Sequence, residues 1–105
     1  MSAYETRMLI GGELVAGTGP ALEVENPATE EILATVPSAA PQEVDAAIAA
    51  AREAARGWAD TPAGERAELL HEVANRLRER TDELARTMTA EGGKPLVENV
   101  DEGGW

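Results

Sequence analysis

Residues 32–48 read Ile32-Leu33-Ala34-Thr35-Val36-Pro37-Ser38-Ala39-Ala40-Pro41-Gln42-Glu43-Val44-Asp45-Ala46-Ala47-Ile48, and their hydrophobic period changes halfway. Ile32, Ala34 and Val36 recur at every second residue, the spacing of a strand with one buried face. Val44, Ala47 and Ile48 recur at intervals of three and four, the spacing of a helical stripe. Pro41 marks the change, because its fixed φ and missing N–H suit a first helical position. Glu43 then falls in the first turn, where the positive end of a helix favours an acid. Outward from that boundary the chain reads as α/β, with strands before it and helices after it.

The strands occupy about residues 7–36. Arg7-Met8-Leu9-Ile10, Gly11-Gly12 and Glu13-Leu14-Val15-Ala16 make a strand, a two-residue turn able to take positive φ, and a returning strand. Gly17-Thr18-Gly19-Pro20 breaks the pattern. A second pair, Ala21 to Glu25 and Glu31 to Val36, flanks the turn Asn26-Pro27-Ala28-Thr29-Glu30. Hairpins this short need something to lie against. Helices are expected at about 41–59, 62–80, 82–91 and 95–105. The first carries the stripe Val44, Ala47, Ile48, Ala51, Ala55 and Trp58. Thr61-Pro62 reads as the cap-plus-proline start of the second, whose core stripe is Leu70, Val73, Ala74 and Leu77. Thr81 reads as the cap of a third helix, which Gly92-Gly93 stops. Pro95 opens a fourth pattern that runs into Gly103-Gly104-Trp105 without a stop, so the C-terminus is expected to fall inside an element.

Composition narrows the function. The 105 residues hold 20 acids against 9 Lys and Arg, a net charge of −11 and no cysteine. Nineteen are Leu, Ile or Val, and alanine supplies 20 of the apolar positions. Burial at roughly 25 cal/mol per Å² therefore draws on few large side chains. So thin a core argues against independent stability. The acidic balance and absence of a basic cluster argue against a nucleic-acid partner. No run reaches the length of a membrane span and the N-terminus lacks signal-peptide regions, so a cytoplasmic location and no membrane partner are expected. Without cysteine there is no disulfide, thiolate metal site or thiol nucleophile.

Catalytic templates fail on spacing. Gly17-Thr18-Gly19-Pro20-Ala21-Leu22 starts like a dinucleotide fingerprint but ends in Leu, and Pro20 removes an amide where phosphate would bind. His71-Glu72-Val73-Ala74-Asn75 begins like a zinc-protease helix but has Asn75 at the second histidine position. His71 is expected to face solvent or a neighbouring helix. Gly93-Lys94-Pro95 lacks the rest of a P-loop, leaving Lys94 as a helix-start or surface cation. Glu65 to Glu72 and Arg76 to Arg80 read as a solvated helix face, with Glu72 and Arg76 placed to pair. No catalytic residue is assigned on these grounds.

A series of segments nevertheless resembles the N-terminal region of the NAD(P)-dependent aldehyde dehydrogenase superfamily. It comprises Ile10-Gly11-Gly12-Glu13, Glu25-Asn26-Pro27-Ala28-Thr29-Glu30-Glu31-Ile32, Ala34-Thr35-Val36-Pro37 and Val44 to Ala51. Trp58, Glu65-Arg66-Ala67, Arg80 to Ala85 and Glu91-Gly92-Gly93-Lys94-Pro95 continue it in order. The resemblance implies that residues 1–105 form the first portion of a doubly wound cofactor-binding domain, an incomplete α/β unit. It implies NAD or NADP in the parent enzyme, partnership with the rest of that chain, a homo-oligomer, and catalytic and cofactor-contacting residues lying beyond residue 105. It further implies that the Val24 and Glu25 carbonyls and the Glu91 side chain hold a monovalent cation, and that Trp105 lines a substrate tunnel. The alternatives are a non-catalytic helical interaction module, using alanine-rich faces to bind a partner, and an inactive truncated product.

Overall fold

The computed structural model describes residues 4–102. Two strand pairs precede four helices, which is the α/β order expected. The elements are β1 (Met8–Ile10), β2 (Glu13–Val15), β3 (Ala21–Glu25), β4 (Ile32–Pro37), α1 (Pro41–Asp60), α2 (Ala63–Glu79), α3 (Thr81–Gly92) and α4 (Leu96–Glu102). β1 pairs antiparallel with β2 in the register Met8↔Val15, Leu9↔Leu14, Ile10↔Glu13. The intervening Gly11 and Gly12 have φ of 60° and 83°. Two successive positive values are what a tight hairpin turn requires, and glycine takes them without a Cβ penalty. β3 and β4 form a second two-stranded sheet.

The chain divides into two compact units, residues 1–24 with 34–60, and residues 25–33 with 61–105. In the first, β1 packs on α1. Gly19 N–H donates to the Ser38 carbonyl (2.8 Å) and Ser38 N–H to the Pro20 carbonyl (2.9 Å), binding the segment after β2 to the one after β4. In the second, the closest packing is between α3 and α4.

Helix starts depart from the sequence expectation at two places. The N-cap of α2 is Pro62, with ψ of 141°, one residue earlier in role than a first helical position. Arg80, not Thr81, caps α3, and its side chain makes no capping bond. Thr81 instead opens α3 and donates its hydroxyl backward to the Arg78 carbonyl of α2 (2.9 Å). The physical reason is the tight junction: only Arg80 separates the two helices, so a carbonyl at the end of α2 is the nearest acceptor. At the other end Gly93 takes φ of 74° and donates to the Thr89 carbonyl (2.9 Å), the left-handed stop expected of the glycine pair.

Burial is sparse. Among the described residues the only buried apolar side chain is Ala85, joined by the buried polar residues Asn99 and Glu43. The large side chains on the stripes that periodicity marks as core in α1 and α2 are exposed, Ile48 at 54% and Leu70 at 62%, while Ala47 and Ala74 are half-buried.

Candidate functional site

The turn after β3, in the second unit, is closed by its own hydrogen bonds. Asn26 Oδ1 accepts from Ala28 N–H (2.9 Å). The Asn26 carbonyl accepts from Glu30 N–H (2.7 Å) and Thr29 N–H (3.3 Å), while its own N–H donates to the Glu31 carbonyl (2.9 Å). Short polar side chains that bond to the backbone two residues on favour such turns, and Pro27 fixes φ within this one. Glu30 closes it at φ of 60°.

This turn abuts the α3–α4 connection. A Cβ added to Gly93 would lie 2.8 Å from Cγ of Pro27, so no other residue fits at Gly93 without displacement. Asn26, Ala28, Arg86, Thr89, Ala90 and Leu96 line a groove of about 320 Å³ beside it. Two pieces of the sequence pattern, Asn26-Pro27 and Gly93-Lys94-Pro95, are therefore neighbours in space, meeting at Pro27 and Gly93.

α4 is fastened by Asn99, the largest fully buried side chain described. Its Nδ2 donates to Thr89 Oγ1 on α3 (2.9 Å) and to the Lys94 carbonyl in the connection (3.3 Å). A buried amide left unpaired costs about 1–3 kcal/mol, so these partners are integral to the packing. Lys94 lies against Glu102 and, at 3.9 Å, Glu98, and the hydrogen bond to Glu102 raises its ammonium pKa. It is thus a half-buried cation engaged with α4.

A second polar node lies in the first unit. Glu43 accepts from Ala40 N–H (2.6 Å), Thr18 N–H (3.2 Å) and the Thr18 hydroxyl (2.5 Å). The first of these bonds satisfies an amide at the start of α1, and the other two tie the Gly17–Pro20 segment to the same helix. The Thr18 hydroxyl, then the Ala40 amide, hold the Glu43 carboxyl below its usual pKa. Gln42 Nε2 completes the node by donating to Thr18 Oγ1 (3.2 Å).

The sequence-assigned positions fall as follows. Val24 is half-buried in β3 in the first unit; Glu25 ends β3, exposed, in the second. Glu91 is exposed in the last turn of α3. Trp105 lies outside the described residues. His71 faces solvent, and Arg76 Nε donates to Glu72 Oε1 at 2.8 Å, as the spacing implied. Among the described residues no group of three or more His, Cys, Asp or Glu is placed to hold a metal ion. Asn99 was not singled out from sequence, since it sits where the helical period marks no stripe. Glu43 was read only as a first-turn acid, and its position three residues after Ala40 was the available signal for its capping bond. The arrangement supplies turns, caps and packing contacts.

The pattern matches a known family. Residues 14–103 match the profile described as the aldehyde dehydrogenase family, and the chain belongs to that family. It is 49% identical over 94 residues to malonate-semialdehyde dehydrogenase 3 of Geobacillus kaustophilus, a match covering 86% of this chain and 19% of that protein. The crystal structure of an NAD-dependent benzaldehyde dehydrogenase from Corynebacterium glutamicum superposes with a TM-score of 0.92 at 31% identity, covering 97% of this chain and 23% of that one. An NADP-dependent glyceraldehyde-3-phosphate dehydrogenase from Bacillus halodurans, complexed with NADP, gives 0.92 at 29% identity, covering 97% and 22%. The chain spans about a fifth of the length of the curated relatives it matches. Among the described residues no helix is long and apolar enough to cross a membrane.

Proposed function

We propose that this chain is the N-terminal portion of the cofactor-binding domain of a cytoplasmic, homo-oligomeric enzyme that oxidises an aldehyde to a carboxylic acid with NAD+ or NADP+. The observation that carries this is the 49% identity to a malonate-semialdehyde dehydrogenase over 86% of the chain but 19% of that enzyme. The spatial meeting of Asn26-Pro27 with Gly93 supports it, because the most distinctive motif residues then serve one packing purpose. NAD(P)+ supplies the hydride acceptor when bound. No phosphate cradle was assigned in this chain, and its contribution is scaffolding. It folds the hairpins, stops α3 at Gly93, and fixes the direction of α4 through Asn99. The backbone carbonyls of Val24 and Glu25 and the Glu91 side chain are the proposed oxygen donors for a monovalent cation, a donor class suited to a hard ion.

On this proposal the 105-residue chain alone forms no NAD(P)H from an aldehyde, and activity above a heat-killed control refutes it. A reading frame that continues past Trp105 into a cysteine-bearing segment supports it. A native stop codon there, with a cooperative urea transition of the isolated chain, favours instead a self-standing interaction module.

A further inference from the structure

Within the second unit, the end of α2 meets α3 and α4 around a cavity of about 190 Å³. Leu77, Leu84, Ala85 and Met88 form its apolar wall. Ala85 is buried, while Leu77 and Met88 are partly exposed, so the cavity opens to solvent on their side. Three polar side chains, Thr81, Asn99 and Glu102, complete the lining. Thr81 donates its hydroxyl proton to the Arg78 carbonyl (2.9 Å), which leaves its oxygen as an acceptor. Asn99 is only 2% exposed, and its Nδ2 donates to Thr89 Oγ1 and the Lys94 carbonyl, neither of which lines the cavity. Because a carbonyl can only accept, that contact fixes which amide atom is the nitrogen. Oδ1, on the opposite edge of the planar amide, accepts no hydrogen bond among the described residues. Glu102 is an acceptor whose charge is balanced by Lys94. The polar lining therefore consists of acceptors, with no side-chain donor left free.

Size and hydrogen-bonding demand together select the ligand. An apolar cavity of about 150 Å³ is enough to hold benzene, so this one takes a single ring, or a branched chain of like size, with one small substituent. The buried acceptor Oδ1 of Asn99 requires that substituent to be a donor, since an acceptor enclosed beside a ligand that cannot bond to it is penalised. A carboxylate has no proton to give and would face Glu102. An ammonium would approach Glu102 where Lys94 already neutralises it. We infer that the cavity between α2, α3 and α4 binds a small neutral alcohol or phenol, its apolar body against Leu84 and Met88 and its hydroxyl donating to Asn99 Oδ1. An aldehyde lacks the donor and a carboxylate lacks the proton, so neither the substrate nor the product of the proposed oxidation meets this requirement.

The test is an NMR titration of the 105-residue chain with four probes: phenol, toluene, benzoate and benzylammonium. Phenol is expected to give saturable shifts at the Asn99 side-chain amide and at the methyl groups of Leu84, Ala85 and Met88. It should bind about 2–12-fold more tightly than toluene, a ring of nearly the same shape without a donor, which is the factor one net hydrogen bond supplies. Benzoate and benzylammonium should give no saturable shift at these groups. Ala85→Met, which extends a flexible side chain into the cavity, should abolish the phenol shifts while the amide dispersion of the rest of the chain is kept. Toluene binding as tightly as phenol, saturable binding of either charged probe, phenol shifts spread over both units, or a parent chain whose α3 and α4 signals lack folded dispersion each overturn the inference. Where Ala85→Met loses the fold, the comparison of the four probes on the parent chain decides alone.

Discussion

Gly92 and Gly93 are adjacent, chemically identical, and predicted to respond to the same substitution with opposite signs. Gly92 is the last residue of α3, and a Cβ there meets nothing within 4 Å. Alanine in a helix is better than glycine by about 0.5–1 kcal/mol, so Gly92→Ala stabilises. Gly93 has φ of 74° and a Cβ there would lie 2.8 Å from Pro27 Cγ. Leaving an L-residue in the left-handed region costs about 1–2 kcal/mol. Pro27 is held by the bonded Asn26 turn and cannot rotate away, so the contact adds about 1–3 kcal/mol of overpacking. Reduced freedom of the unfolded chain returns about 0.4–1 kcal/mol. Gly93→Ala should therefore cost about 1–5 kcal/mol net. The assay is amide hydrogen exchange read at α3 and α4, supported by urea titration followed by circular dichroism. The double variant Pro27→Ala/Gly93→Ala should recover the contact part and not the backbone part, giving a coupling of about 1 kcal/mol or more. A Gly93→Ala protein within about 0.5 kcal/mol of the parent, or one matching Gly92→Ala in sign, refutes the packing of the Asn26-Pro27 turn on the α3–α4 connection.

Asn99→Ala should destabilise the α3–α4 pair by about 1–3 kcal/mol in the same exchange experiment, since Thr89 and Lys94 lose their buried donor. Asn99→Asp should be worse at neutral pH, because a carboxylate would face the Lys94 carbonyl, and the penalty should shrink as acid protonates it. For Glu43 the folded-state pKa is depressed, so its stabilisation is present above the ordinary value of 4.5 and is lost as pH falls through the lower folded value. Glu43→Gln should speed exchange at Ala40 and Thr18 about fivefold to tenfold near neutrality, the factor expected of a lost cap, with the gap to the parent closing in acid. Equal exchange at pH 7 would refute the capping role. Arg76→Ala should leave the urea midpoint unchanged, as expected of an exposed i,i+4 pair.

Most elements were legible because their signals are local. Gly11-Gly12 needs only its own φ values to make a turn, and Gly93 only its own to stop a helix. The Asn26 turn is closed by bonds within six residues. Thr81 was misread as a cap because the choice between capping α3 and bonding back to α2 depends on how closely the two helices join. Asn99 stayed invisible for a related reason: its partners are ten residues back on α3 and five back in the connection. The stripes on α1 and α2 were legible as apolar faces, but periodicity records only that a face is apolar and not whether anything covers it.

By itself the sequence determined the change from strand to helix at Pro41, the two glycine-dependent backbone reversals, and a family pattern carried by ordered short motifs. These depend on dihedral preference and spacing along one chain. Only the tertiary structure decided that Asn26-Pro27 packs on Gly93, that Glu43 binds two segments at once, and that Arg66 Nε is buried without a hydrogen-bond partner among the described residues. Those facts are set by which surfaces meet in space, and chain spacing carries no information about a surface that residues distant in sequence must complete.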